Sequence, residues 1–176
     1  MSGTEAIATP RLVLRRHVME DARALHEGFG LDKAMYEYSG WNPYATLEDA
    51  ERTVGRFIAS YDDARFYGWA IEHGGRLVGT IGAYDYDPER NSIEVGMSIE
   101  RASWGKGFAT EALGAVLLYL VDREGIDVVT AWCASDNVGS QRAMEKTGMV
   151  QVSAEEGALR IGDATFDKLF YEYRKA

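Results

Sequence analysis

The chain has one cysteine, Cys133, three prolines and three histidines in 176 residues. A lone thiol excludes an internal disulfide, and no Cys/His cluster has the spacing of a structural zinc site. No apolar run approaches the roughly 18 residues that a membrane-spanning helix needs. The opening Met1-Ser2-Gly3-Thr4-Glu5 lacks the basic start and long apolar core of a secretory signal. Bases are scarce as well. Nineteen Lys and Arg face 28 Asp and Glu, a net charge of −9. Such a balance opposes a general binder of phosphate backbones, because nucleic acid is repelled unless the bases gather on one face. Repeats, low-complexity tracts and Pro- or Ser-rich linkers are missing, so one domain over residues 1–176 is expected. The expected setting is reduced and cytoplasmic, with no membrane contact, no nucleic-acid partner and no bound metal.

What is present is the material of a folded core: 46% hydrophobic and 27% charged residues. A short β-prone run covers Arg11 to Arg15. Helices are expected over Glu20 to Gly28 and Leu47 to Tyr61, the second with Ala50, Val54, Phe57 and Ile58 at helical spacing. Three strands follow, Phe66 to Glu72, Arg76 to Tyr84 and Ser92 to Ile99. Gly74-Gly75 joins the first two, and Asp87 to Asn91 turns into the third. The strongest helix runs from about Phe108 to Arg123, with Leu113, Val116, Leu117, Leu120 and Val121 on one stripe. Strand Asp127 to Cys133, helix Asn137 to Thr147 and strands Met149 to Ser153 and Thr165 to Arg174 complete the chain. The order β-α-α-β-β-β-α-β-α-β-β predicts a mixed sheet with helices packed on it, an α+β fold.

Two segments carry chemistry. Trp104-Gly105-Lys106-Gly107-Phe108-Ala109-Thr110-Glu111-Ala112 lies between a strand and the strongest helix. Two glycines one residue apart permit a tight turn, and the helix start leaves its first N–H groups unpaired, which suits a pyrophosphate. Spacing alone also allows a plain glycine turn. A P-loop is excluded, since Gly107 follows Lys106 and Glu100 stands where the first glycine belongs. A dinucleotide fingerprint is excluded by the missing third glycine. In the second segment Asn137 begins a helix with Ser140 in its first turn, a pattern that capping alone accounts for. No G-x-S-x-G occurs, and His17, His26 and His73 show no catalytic or metal spacing.

Together these segments resemble the GCN5-related N-acetyltransferases, in the RimJ/RimL-like branch. Thr9-Pro10-Arg11-Leu12-Val13-Leu14-Arg15 resembles that branch's first strand. The glycine loop resembles the family's acetyl-CoA loop. Ala134-Ser135-Asp136-Asn137-Val138-Gly139-Ser140 resembles the segment beside the pantetheine arm, and Lys146-Thr147-Gly148-Met149-Val150 the step that follows it. The resemblance spans residues 9 to 174. It implies a mostly antiparallel seven-stranded sheet with about four helices, in which the strand before the loop and the strand Val128 to Cys133 splay apart around the thioester.

The resemblance also implies site residues. Trp104, Gly105, Lys106, Gly107, Phe108, Ala109 and Thr110 would surround the pyrophosphate, chiefly through backbone N–H groups. Met97, Ser98 and Ile99 would pair with the pantetheine as an added strand does, and Asn137 would contact it. Lys106, Arg142 or Lys146 would meet outer phosphates, unless each is only a solvated surface charge. Glu94 is the candidate base, on the strand face opposite Ile93, Val95, Met97 and Ile99. Many members carry a Tyr seven residues after the Asn; here that position is Met144, and Ser140 is the candidate thiolate partner. Tyr38 and Trp41 are the candidate acceptor-side residues. The implied activity is acetyl transfer from acetyl-CoA to a primary amine, without a metal. The acceptor is a small molecule or a peptide N-terminus, and the family analogy extends to a homodimer. The net charge favours a cationic acceptor. A catalytically weak acyl-CoA sensor on the same fold is the alternative.

Overall fold

The computed structural model describes residues 1–176. Its sheet strands are β1 (Ile7–Ala8), β2 (Val13–Arg15), β3 (Tyr67–His73), β4 (Arg76–Asp87), β5 (Ser92–Ile99), β6 (Val128–Ala134), β7 (Val150–Ile161) and β8 (Ala164–Arg174). They form one eight-stranded sheet in the order β1-β2-β3-β4-β5-β6-β8-β7. Every neighbouring pair is antiparallel except β5 and β6. The eighth strand, one more than expected, is β1. Its two residues pair Ile7 with Leu14 and Ala8 with Val13, too short a run to show alternation in the sequence.

The helices are α1 (Asp21–Leu25), α2 (Leu47–Ser60), α3 (Phe108–Leu118) and α4 (Val138–Lys146). Helix α2 starts on a capping box. Thr46 Oγ1 accepts from the Asp49 N–H at 3.0 Å, and Asp49 Oδ2 accepts from the Thr46 N–H at 3.2 Å. The expected stripe of α2 holds at Ala50 and Val54, which are buried, but Ile58 is 41% exposed. Both α1 and α3 run into a wider helical turn, over His26–Gly30 and Tyr119–Arg123.

The apolar residues sort the helices onto two faces. Leu113, Val116, Leu117 and Leu120 pack with Ile93, Val129, Ala131 and Cys133 in the main core. Helices α1 and α2 pack on the opposite face, with Ala22, Leu25, Ala50 and Val54 around Ala70 and Leu77. Cys133 is buried, and burial followed by the nearby Glu145 carboxylate pushes its thiol up to about 11. It stays protonated at neutral pH, which fits the core role expected of it.

Candidate active site

Strands β5 and β6 pair over only three positions: Ser92 with Val128, Ile93 with Val129 and Glu94 with Thr130. Beyond Glu94, β5 continues to Ile99 along β4, while β6 continues to Ala134 along β8. The strands therefore part just after Glu94. From Val95 to Ile99 the β5 edge facing β6 has no strand partner, as the family resemblance implied.

The glycine loop closes the far end of this opening. Gly105 and Gly107 sit at φ +74° and +78°, a region that side chains rarely adopt. The backbone N–H groups of Gly105, Lys106, Gly107, Phe108, Ala109 and Thr110 donate to no protein acceptor; the first helical bond in this turn is from Glu111 N–H to the Gly107 carbonyl. Six consecutive free donors at a helix start offer the chemistry that an anion site needs. A diphosphate fits this chemistry. Lys106, Arg142 and Lys146, the candidates for the outer phosphates, are all exposed.

The loop is held from three sides. Trp104 Nε1 donates to the Ile99 carbonyl at 2.7 Å, tying the loop to the end of β5. Buried Glu100 accepts from Ser103 Oγ at 2.8 Å and pairs with Arg76 at 2.6 Å. Burial pushes the Glu100 carboxyl up, but Arg76 and Ser103 outweigh it and hold the group below its ordinary range. Arg11 is the third anchor. Its Nη1 donates to the Lys106 carbonyl at 2.7 Å, its Nε pairs with Glu111 at 2.7 Å, and its guanidinium lies 4.9 Å from the Phe108 ring centroid. Sequence reasoning quoted Arg11 and Glu111 inside motifs but gave neither a role.

Asn137 caps α4: its Oδ1 accepts the Ser140 N–H at 3.2 Å. The capping reading thus accounts for one end of the amide, while Nδ2 and the Ser140 hydroxyl make no hydrogen bond within the protein. Met144 is buried and offers no proton.

On the α1/α2 face, Glu94 Oε1 accepts from Trp132 Nε1 at 3.0 Å. Tyr84 is the cross-strand neighbour of Glu94, and its ring leans over Gly96. A Cβ at Gly96 would lie 2.6 Å from the Tyr84 hydroxyl, so the missing side chain is what lets the phenol rest beside the opening. Burial, and then the Glu94 carboxylate, push that hydroxyl well above the ordinary tyrosine range, so it remains a donor. Neither Tyr84 nor Trp132 carries a motif, and only the register brings them to Glu94. Tyr38 reaches the same face. It packs edge-on against Phe166 at 5.4 Å and donates to the Asp136 carbonyl at 3.3 Å. Trp41 is 65% exposed and lies farther out, on the surface beside Asn42, Arg52 and Arg56.

Comparison with known proteins agrees with this geometry. Residues 11–150 match the acetyltransferase (GNAT) domain. The uncharacterized N-acetyltransferase YoaA of Bacillus subtilis is 31% identical over 156 residues, covering 88% of this chain and 85% of YoaA. A GNAT-family acetyltransferase from Bacillus anthracis superposes with a TM-score of 0.85 at 26% identity, covering 97% of this chain and 98% of that one. RimL, a ribosomal alpha-N-protein acetyltransferase solved with coenzyme A, has the same fold, with a TM-score of 0.87 at 19% identity and coverage of 97% and 98%. The domain match takes in both parted strands, the glycine loop and α4, so this chain is a member of the GCN5-related N-acetyltransferase family and an acetyltransferase.

Proposed function

We propose that the whole chain is one N-acetyltransferase domain of the RimJ/RimL-like kind, moving acetyl from acetyl-CoA to a primary amine by direct attack in a ternary complex. The observation that carries this reading is the run of six unpartnered N–H groups at the start of α3, placed at the mouth of the parted strands. Acetyl-CoA supplies an activated acyl carbon and a thiolate leaving group. The N–H groups from Gly105 to Thr110 bind its diphosphate, with Lys106 and Arg142 near its outer phosphate. The free edge from Met97 to Ile99 and the Asn137 amide orient the pantetheine arm.

The chain's own groups then manage the protons. An amine is mostly protonated at pH 7, so it must lose a proton before it attacks. Glu94 is the acceptor for that proton, directly or through water: the Trp132 N–H fixes Oε1, and the Tyr84 phenol faces the same carboxylate. An N–H on the open edge of β5 faces the carbonyl oxygen as charge develops there. The Ser140 hydroxyl stabilises the departing thiolate by a hydrogen bond. Tyr38 borders the acceptor side, and Trp41 is assigned to its outer rim. RimL is named for a protein N-terminus, and a peptide amine is accordingly the first acceptor to try.

The test is thiol release and acceptor mass shift, measured with acetyl-CoA and a panel of peptide N-termini, polyamines and amino acids. Release that depends on the acceptor, and falls at least about a hundredfold in Glu94→Gln, is expected. Tight coenzyme binding with no thiol release from any acceptor would instead establish the sensor alternative.

A further inference from the structure

On the α1/α2 face, β6 and β8 build a floor beyond the point where the strands part. Its rows are Thr130 with Glu172, Trp132 with Phe170 and Ala134 with Lys168. The Lys168 ammonium lies over both aromatic rings, 4.4 Å from the Trp132 centroid and 5.0 Å from the Phe170 centroid. The same indole donates its N–H to Glu94. One side chain thus touches the carboxylate beside the opening with its edge and an ammonium with its face.

The ammonium is otherwise uncommitted. Glu172, in the same floor, is paired with both Arg90 and Arg174. Glu155 lies across from Lys168 in the β7–β8 register, but it is exposed and forms no ion pair with it. Lysine ordinarily carries its head group out into water. Here Lys168 is half-buried as a residue, and cation–π attraction holds its ammonium down on the floor, where water screens it less than on an open surface.

We propose that Lys168 is a specificity residue for acceptors that carry an anionic group set off from the reacting amine by the width of the Trp132 indole. The amine sits at Glu94 and the anion at Lys168. This rests on the reading of that face as the acceptor side. A peptide N-terminus followed by an acidic residue meets both charges. A polyamine brings its second cation against the Lys168 ammonium and is rejected by it. The floor therefore reverses locally the preference that the net charge of −9 suggests.

The test reads binding. The full chain, saturated with coenzyme A, is titrated calorimetrically with three probes: alanyl-glutamate amide, alanyl-glutamine amide and alanyl-lysine amide. The glutamate probe is expected to bind about five- to tenfold tighter than the glutamine probe, with the lysine probe weakest. Lys168→Met should erase the order while coenzyme affinity holds, and Lys168→Arg should keep it. Equal affinities, no measurable binding of the glutamate probe at millimolar concentration, or an order that survives Lys168→Met overturns the assignment. Acetyl transfer is followed in parallel samples that hold acetyl-CoA in place of coenzyme A. An intact order of binding without any transfer defeats the transferase reading and leaves Lys168 standing.

Discussion

Arg11 shows how little a paired charge contributes by itself and how much it can matter by position. It is 45% exposed on its side chain, so its ion pair with Glu111 contributes at most about 1 kcal/mol to stability. Its other contacts are with the loop: the Lys106 carbonyl and the Phe108 ring. Removing it frees the segment that presents the six N–H groups. Arg11→Ala is therefore expected to shift thermal unfolding by only a few degrees while weakening coenzyme A binding about tenfold. Arg11→Lys should rescue poorly, because an ammonium lacks the planar fork that reaches Glu111 and the carbonyl together. Calorimetric titration alongside thermal melts checks this. Lost stability with unchanged coenzyme affinity would show that the contact serves the fold rather than the loop. The pairing was not legible in the sequence: Arg11 and Glu111 stand 100 residues apart, and only the closed sheet brings them together. The loop glycines were legible, because their conformation is a local property.

Strands with one apolar face declared themselves; strands without one did not. The bounds expected for β5 match those found, since Ile93, Val95 and Ile99 alternate into the core. Strand β7 was expected to stop near Ser153 but runs to Ile161. It is exposed almost throughout, with Val150 at 65% and Val152 at 53%, and backbone pairing with β8 rather than burial keeps it extended. No periodicity marks such a strand. The joint between β2, α1 and β3 was equally hidden. Arg15 on β2 pairs with Asp21 at the start of α1 and with Glu72 on β3, at 2.9 and 2.7 Å. Burial pushes the Asp21 carboxyl up, but the His17 ring 3.4 Å away and hydrogen bonds from Arg15 and the Val18 N–H outweigh it and hold the group far below the ordinary carboxylate range. A depressed folded value means that the unfolded chain takes up the proton first as acid is added. The stability from Asp21 is therefore full above the ordinary value near 4 and is lost as pH falls through that value toward the folded one. Asp21→Asn should cost about 2–3 kcal/mol at pH 7, and the gap to wild type should narrow steadily below about pH 4 in urea unfolding. A gap that stays constant down to pH 2 would contradict the ion pair.

The molecule as a whole carries −9, yet the proposed ligand is an anion. Two sources of attraction compete to explain how it binds. If Lys106, Arg142 and Lys146 supply most of the hold, affinity should fall steeply as salt rises, because exposed ion pairs are screened. If the six N–H groups supply it, the attraction acts at hydrogen-bond range, where mobile ions screen poorly. The remaining long-range term is then repulsion from the acidic body. Its reach shrinks from about 30 Å at 0.01 M salt to about 8 Å at 0.15 M, so added salt relieves it. The backbone site is the geometry found, since none of the three bases is fixed by an ion pair that would aim it at the loop. Coenzyme A affinity is accordingly expected to stay within about threefold, or to improve, between 20 and 200 mM salt. Calorimetry at four salt concentrations reads this directly. A drop of tenfold or more over that range would move the binding energy from the amides at the start of α3 to the side chains around them, and Lys106→Ala and Arg142→Ala would then share the loss.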